Sequence, residues 1–323
     1  MTTLQLGSNG LLVKRWQKAM LAPSASYTKG ADGGPLKVDS YFGLDDQAVA
    51  REYQRHTGQA ETGVLSQDDL IKLGAMPVLL TVQGTGVDMW TGYPAELARA
   101  CLDFCLWQPI GNYPADPFPM WASILQGIAE LRLQIRAYAN RYPGCRIWLA
   151  GYSQGAIVVS WVYKHDILDP NGILHDLLPF VGKAVTWGNP MRELGKANGN
   201  LRAGWPVPEG QGILHDRLQG TPDWWLDFAH GANSEWGRDL YTDTEVGARG
   251  DDESAICDIV MQQTLLSGPI ALAKRVGALI ANPIEGIPAA VEAIYDAGMF
   301  FGGGTGPHVN YSIEPAVDYL RAA

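Results

Sequence analysis

One serine stands between two glycines in Gly151-Tyr152-Ser153-Gln154-Gly155, and this segment separates two apolar runs, Ile147-Trp148-Leu149-Ala150 and Ala156-Ile157-Val158-Val159-Ser160-Trp161-Val162-Tyr163. The order predicts a strand, a tight turn and a helix, with the hydroxyl at the apex. A serine hydroxyl attacks a carbonyl only when a base takes its proton, and a sharp strand-to-helix turn exposes it where a base can reach. The two glycines are expected because a Cβ at either position would clash inside such a turn and bar the substrate. So short a pattern also arises by chance, so the flanking runs carry the argument.

A base and an acid must complete the constellation, and on strand-turn-helix serine sites of this kind they follow the nucleophile in the order acid, then histidine. Five histidines follow Ser153. His165 sits at the far end of the helix that leaves the serine, about 18 Å along its axis, and cannot turn back. His175 lies just beyond that helix, and His215 and His230 precede or fall among the candidate acids. These four are expected as surface or core residues. His308 follows every candidate acid, in the glycine-rich Gly302-Gly303-Gly304-Thr305-Gly306-Pro307-His308, and is the expected general base. The acid accepts a hydrogen bond from the second ring nitrogen and fixes the tautomer. Asp227, Asp239, Asp243, Asp251 and Asp252 lie in the right interval; Asp239 is the first choice and Asp243 the second.

Two donors must face the oxygen that gains charge during acyl transfer. One is expected to be the backbone N–H of Gln154, just after the nucleophile; the other comes from the exit loop of the first strand, Gln83-Gly84-Thr85-Gly86, where Thr85 offers an amide and a hydroxyl. A phosphate-binding role for this loop is disfavoured because no Lys-Ser or Lys-Thr follows it.

Behind these residues, apolar strands alternate with helical stretches from Pro77 onward. Strands are predicted at Val78–Val82, Ile147–Ala150, Phe180–Gly188 and Trp224–Phe228, and helices near Glu96–Leu106 and Trp121–Tyr138. Such alternation predicts a parallel sheet covered by helices, with ligands at the carboxyl ends of the strands, where Ser153 would lie. A composition break near Lys72–Pro77 separates a helix-rich first part, in which Leu12, Trp16 and Met20, and then Val49, Tyr53 and His56, recur at helical spacing. A chain of 323 residues is long enough for two domains: 1–75 and 77–323.

The net charge of −10 is unevenly spread: residues 1–76 balance eight basic against eight acidic side chains, leaving 16 against 26 in the rest. An acidic body disfavours nucleic acid, whose binding needs phosphate neutralisation. No run reaches the roughly 18 apolar residues of a membrane span; the nearest, Leu265–Phe301, is broken by Pro269, Lys274, Arg275, Pro283, Glu285 and Pro288. Residues 1–7 lack the basic and apolar segments of a signal peptide. Of the four cysteines, Cys101 and Cys105 are four apart in the predicted helix, too far for an unstrained bridge, and Cys145 and Cys257 are isolated, so reduced, buried thiols are expected. No paired Cys or His stands at zinc-ligand spacing, and no metal or other cofactor is expected.

Two resemblances sharpen these expectations. Leu6-Gly7-Ser8-Asn9-Gly10 before a Trp-Gln helix, Val38-Asp39-Ser40-Tyr41-Phe42-Gly43, Tyr53-Gln54 and Thr62-Gly63-Val64-Leu65 make residues 4–74 similar to the three-helix peptidoglycan-binding domain of cell-wall hydrolases. That implies wall targeting; a spacer that has kept the fold and lost the ligand is the plainer alternative. From Val78 to the end, Thr81-Val82-Gln83-Gly84-Thr85-Gly86, Trp107-Gln108-Pro109-Ile110-Gly111-Asn112-Tyr113-Pro114, Phe118-Pro119-Met120-Trp121, the serine motif, Trp187-Gly188-Asn189-Pro190-Met191-Arg192 and Pro307-His308 resemble the Lysin B family of mycobacteriophage esterases, relatives of cutinases. The resemblance implies a cutinase-like α/β-hydrolase fold, with Ser153 as nucleophile, Asp239 as acid and His308 as base. Gln83, Gly84, Trp90 and Asn189 are expected to border the substrate cleft.

By the same resemblance, the substrate is the ester joining mycolic acids to arabinogalactan. The protein would accumulate in the infected host cytoplasm without a signal peptide and act at the envelope after release. Two other readings stand beside it: a general cutinase-like lipase with no lysis role, and a wall-binding protein with an inert hydrolase domain. The long interval between Asp239 and His308 holds Ile256, Ile259 and Val260, then Ala278, Leu279 and Ile284, then Val291, Ile294 and Tyr295. These predict a helical insertion at about 250–302 that borders the cleft for a lipid chain or packs on the domain's own core.

Overall fold

In a computed structural model, the described residues are 2–22, 29–30, 33–117, 120–248, 250–251, 253–254, 257 and 306–322. Almost all of the predicted insertion, together with Phe118, Pro119 and Asp252, lies outside them.

The first part forms three helices, α1 (Leu11–Met20), α2 (Leu44–His56) and α3 (Gln67–Lys72). Leu12, Trp16 and Met20 of α1 are buried, as the spacing predicts, and Trp16 packs on Phe42 at 5.0 Å between ring centroids. On α2, Val49 and Tyr53 are buried but His56 is not; it has passed the edge of the apolar face and pairs with Glu52 at 2.8 Å one turn back. Buried Gln17 ties the module together, its amide nitrogen donating to Asp39, Asp46 and the Tyr41 carbonyl while its oxygen accepts from the Asp39 and Ser40 amides.

Beyond it, five parallel strands, β1 (Val78–Val82), β2 (Leu106–Pro109), β3 (Ile147–Tyr152), β4 (Val181–Trp187) and β5 (Trp225–Phe228), lie in the order β2-β1-β3-β4-β5. The helices are α4 (Gly92–Ala100), α5 (Met120–Arg141), α6 (Gln154–Trp161), α7 (Asn198–Ala203) and α8 (Glu314–Arg321). Strands β1 and β3 are buried along their whole length, which is why both read as unbroken apolar runs. The sheet is therefore the parallel, helix-covered layer that the alternation predicts. Its strand order reverses direction between β1 and β3, the position where such sheets bind ligands.

One expectation needs correction. The helix predicted over Glu96–Leu106 runs instead from Gly92 to Ala100, and Leu106–Pro109 is the edge strand β2, paired with β1 from Val78↔Leu106 to Thr81↔Pro109. Cys101 and Cys105 consequently lie in the turn between them rather than in a helix. Both are buried thiols in no disulfide, as are Cys145 and Cys257, and burial pushes the Cys101 thiol up to about 11. Among the described residues no helix is long and apolar enough to cross a membrane.

Candidate active site

Strand β3 delivers Ser153 and α6 begins immediately after it. The serine has φ 54° and ψ −117°, a conformation that non-glycine residues adopt only at a cost, and its N–H is anchored to the Trp187 carbonyl at 3.0 Å. The predicted steric need for glycine is met on both sides. A Cβ on Gly151 would fall 2.7 Å from the Gly155 carbonyl oxygen, and one on Gly155 would fall 2.3 Å from the carbonyl oxygens of both Val82 and Gln83. The turn can close against β1 only because neither residue has a side chain.

His308 Nε2 lies 2.8 Å from Ser153 Oγ, and His308 Nδ1 lies 2.8 Å from Asp239 Oδ2. The Asp239 side chain is 1% exposed and that of His308 12%, while Ser153 as a whole is 4% exposed. Burial works to raise the Asp239 pKa. The adjoining His308, the Tyr311 hydroxyl at 2.9 Å and the Tyr241 amide at 3.0 Å outweigh it and hold the carboxyl below its usual range. Asp239 is thus an ionised, fully hydrogen-bonded partner for the imidazole.

Asp243, the second choice for the acid, is spent elsewhere. It accepts from the Gly210 amide at 2.8 Å and faces Arg238 and Arg192 at 3.7 and 3.9 Å. Asp227 is a core group inside β5 that accepts from Thr186 and Asn189, and burial pushes its pKa up. His165 pairs with Asp216 at 2.7 Å and His175 bonds the Ile167 carbonyl, both away from the serine.

On the oxyanion side, Gln154 is buried at the first position of α6, and its side chain bonds Tyr113 and the Asp116 carbonyl. Thr85 is also buried, with no hydrogen-bond partner for its hydroxyl among the described residues. An unpaired hydroxyl in the β1 exit loop, beside the turn that Gly155 makes against Val82 and Gln83, suits a donor held ready for a developing charge. The cleft residues divide. Gly84 packs directly under Tyr152, whose ring would lie 2.5 Å from an added Cβ, while Gln83 is buried and donates to the Tyr113 carbonyl at 3.0 Å. Asn189 leaves the cleft set: it is buried, donates to Ser160 and Asp227, and accepts from the Met191 amide. Trp90 is exposed but packs edge-on against Trp107 of β2 at 5.4 Å.

Sequence reasoning missed the aromatic seat of the imidazole. Tyr152 stacks on His308 at 5.4 Å and donates its hydroxyl to the His308 carbonyl at 2.9 Å, and Tyr241 lies 4.8 Å away on another side. Tyr93 of α4 donates to the Val309 carbonyl and receives the Tyr311 amide at 3.1 Å. Gly188, at the end of β4, has φ 56°, and a Cβ there would stand 2.6 Å from the His308 ring. The motifs around Tyr152 and Gly188 carried a signal; nothing in the spacing of Tyr93, Tyr241 or Tyr311 did.

Gly188→Ala is expected to push the imidazole off the Ser153 hydroxyl. Since a displacement of about 1 Å costs on the order of 100-fold, ester kcat/KM should fall by about that factor with the fold retained by circular dichroism. A variant with unaltered kinetics would show that the ring can be seated elsewhere.

A parallel sheet that presents Ser153, Asp239 and His308, in that chain order, at the carboxyl ends of its strands is an α/β-hydrolase with a Ser–His–Asp triad. The chain is 42% identical over 260 residues to endolysin B of Mycobacterium phage D29, spanning 76% of this chain and 98% of the relative, and 41% identical over the same length to endolysin B of Mycobacterium phage L5. Against the crystal structure of lysin B from Mycobacteriophage D29 the TM-score is 0.63 at 41% identity, covering 76% of this chain and 99% of that one. The chain belongs to the endolysin B family. No family model matches it.

Proposed function

We propose that the protein is a serine esterase of phage-induced lysis that hydrolyses the ester between mycolic acids and arabinogalactan in the mycobacterial envelope. The observation that carries this reading is the unbroken relay from Ser153 Oγ through His308 to Asp239, with both links at 2.8 Å. Ser153 attacks the ester carbonyl while His308 Nε2 takes its proton. The Gln154 amide and Thr85 hold the resulting oxyanion, and Asp239 stabilises the imidazolium. Collapse expels the alcohol, protonated by His308. A water molecule, deprotonated by the same nitrogen, then releases the acid and regenerates the serine. Each step uses groups of this chain and needs no cofactor.

That its relatives are endolysins of mycobacterial phages supports an envelope substrate over a general lipase. Residues 1–75 would hold the esterase against peptidoglycan, and the protein would reach its substrate from the infected cytoplasm. The direct test is incubation with purified mycolyl-arabinogalactan. Free mycolic acid should appear in proportion to enzyme; hydrolysis of p-nitrophenyl esters with no mycolic acid release would leave the esterase and remove the substrate.

A further inference from the structure

Tyr311 follows His308 by three residues and grips the same carboxylate oxygen. Asp239 Oδ2 lies 2.8 Å from His308 Nδ1 and 2.9 Å from the Tyr311 hydroxyl, while Oδ1 accepts the Tyr241 amide at 3.0 Å. An ionised carboxylate has no proton to give, so the phenol is the donor. Desolvation and the adjoining carboxylate push the Tyr311 pKa well above its ordinary value, which keeps that proton in place wherever the triad works.

The phenol is itself held from several sides. Its ring stacks on His230 at 4.6 Å and meets Tyr93 edge-on at 5.8 Å, and the Tyr311 amide donates to the Tyr93 hydroxyl at 3.1 Å. His230 cannot swing away, because both of its ring nitrogens are engaged at 2.7 Å. The Asn310 carbonyl can only accept, so Nε2 carries the hydrogen and Nδ1 receives the Ser234 hydroxyl. Burial lowers the His230 pKa, so the ring is neutral and brings no charge of its own beside the acid.

A donor so placed does two things to the relay. It fixes the rotation of the carboxylate, with Oδ2 toward the imidazole, and it draws negative charge from the oxygen on which the imidazolium leans. A carboxylate that shares its charge with a phenol holds the imidazolium less firmly than one bonded to the ring alone, so the proton passes more readily from Nε2 to the departing alcohol. Arg192, His230, Tyr93, Tyr152 and Tyr241 also face this pair from neighbouring elements, with Glu235 behind His230 and Cys257 behind Tyr241. All of them stay in place when the Tyr311 hydroxyl alone is removed. We infer that Tyr311 is a positioning residue of the esterase, acting through Asp239 to aim the His308 imidazole and to temper its basicity. This rests on the esterase reading of the triad and not on the identity of the ester.

The test compares two changes of opposite sign. Tyr311→Phe keeps the ring and its stacking but removes the hydroxyl; fluorotyrosine in place of Tyr311 keeps the hydroxyl and makes it the stronger donor. On a p-nitrophenyl ester, the acidic limb of the kcat/KM profile should move up by about half a pH unit in Tyr311→Phe and down in the fluorinated protein. At the plateau, kcat of Tyr311→Phe should fall about tenfold with KM within about twofold, since the phenol is bonded to the acid. Acidic limbs that coincide with the wild type in both proteins, at any plateau rate, would overturn the role and leave Tyr311 a packing residue. Should Tyr311→Phe fail to fold, the fluorinated protein alone decides. A wild-type enzyme with no turnover would overturn the esterase reading instead, and the pH at which the His308 ring resonances move, followed by NMR in the same proteins, would then decide the role of Tyr311 by the same two directions.

Discussion

Ser153→Ala should lower ester hydrolysis by a factor on the order of 10⁴ to 10⁶ while leaving the fold intact. Removing the hydroxyl removes the atom that is hydrogen-bonded to His308 Nε2 at the apex of the turn. What remains is the binding of substrate and the oxyanion donors, which by themselves leave some acceleration over water. The fold should tolerate the change because alanine fits wherever serine does. Nor does the Ser153 hydroxyl cap α6, so the helix loses nothing. A p-nitrophenyl ester assay at matched protein concentration, with thermal unfolding as the control, measures both. Residual turnover above about 1% of wild type would mean that another group supplies the nucleophile.

Asp239→Asn should cost about 10⁴ in kcat, for a reason visible in the hydrogen bonds. The carboxylate accepts everything it touches: His308 and Tyr311 on one oxygen, the Tyr241 amide on the other. An asparagine cannot accept on both sides. With its NH₂ toward Tyr241, two donors meet; with its NH₂ toward His308, the ring is forced into the tautomer that carries hydrogen on Nε2 and cannot take the serine proton. Stability should respond to pH as well. The folded pKa of Asp239 lies below the value of about 3.9 in an unfolded chain, so near that pH the unfolded state binds more protons. The contribution of this group is complete above that range and is lost as pH falls through the folded value. Acid unfolding followed by fluorescence should therefore show a shallower loss below about pH 4 in Asp239→Asn than in wild type. Identical acid limbs would mean that the carboxylate is not held ionised by its neighbours.

How far these features could be read in the sequence depended on whether their causes are local. The turn that carries Ser153 was legible because a strand, a glycine-bounded turn and a helix are consecutive, and both glycines prove to be demanded by backbone contacts with the turn itself and with the end of β1. His308 was reached by its position after every acid. Asp239 and Asp243 could not be separated by spacing, since the choice is made by tertiary contacts: one meets the imidazole and the other the Gly210 amide. Strand β2 was missed because its four residues, ending in a proline, resemble strand only once β1 pairs with them. Asn189 sits in a motif beside the site, yet its side chain turns into the core to serve Ser160 and Asp227. The tyrosine seat joins residues more than 150 positions apart, such as Tyr152 and His308, and no periodicity encodes that pairing.

The imidazole of His308 is aimed by residues far from it along the chain. Tyr93, Tyr152, Gly188, Asp239 and Tyr241 all precede residue 250, and each meets His308 or the residue after it. A substitution at any of these five positions should therefore reach the proton relay, although each stands at least 67 residues before His308 in the chain.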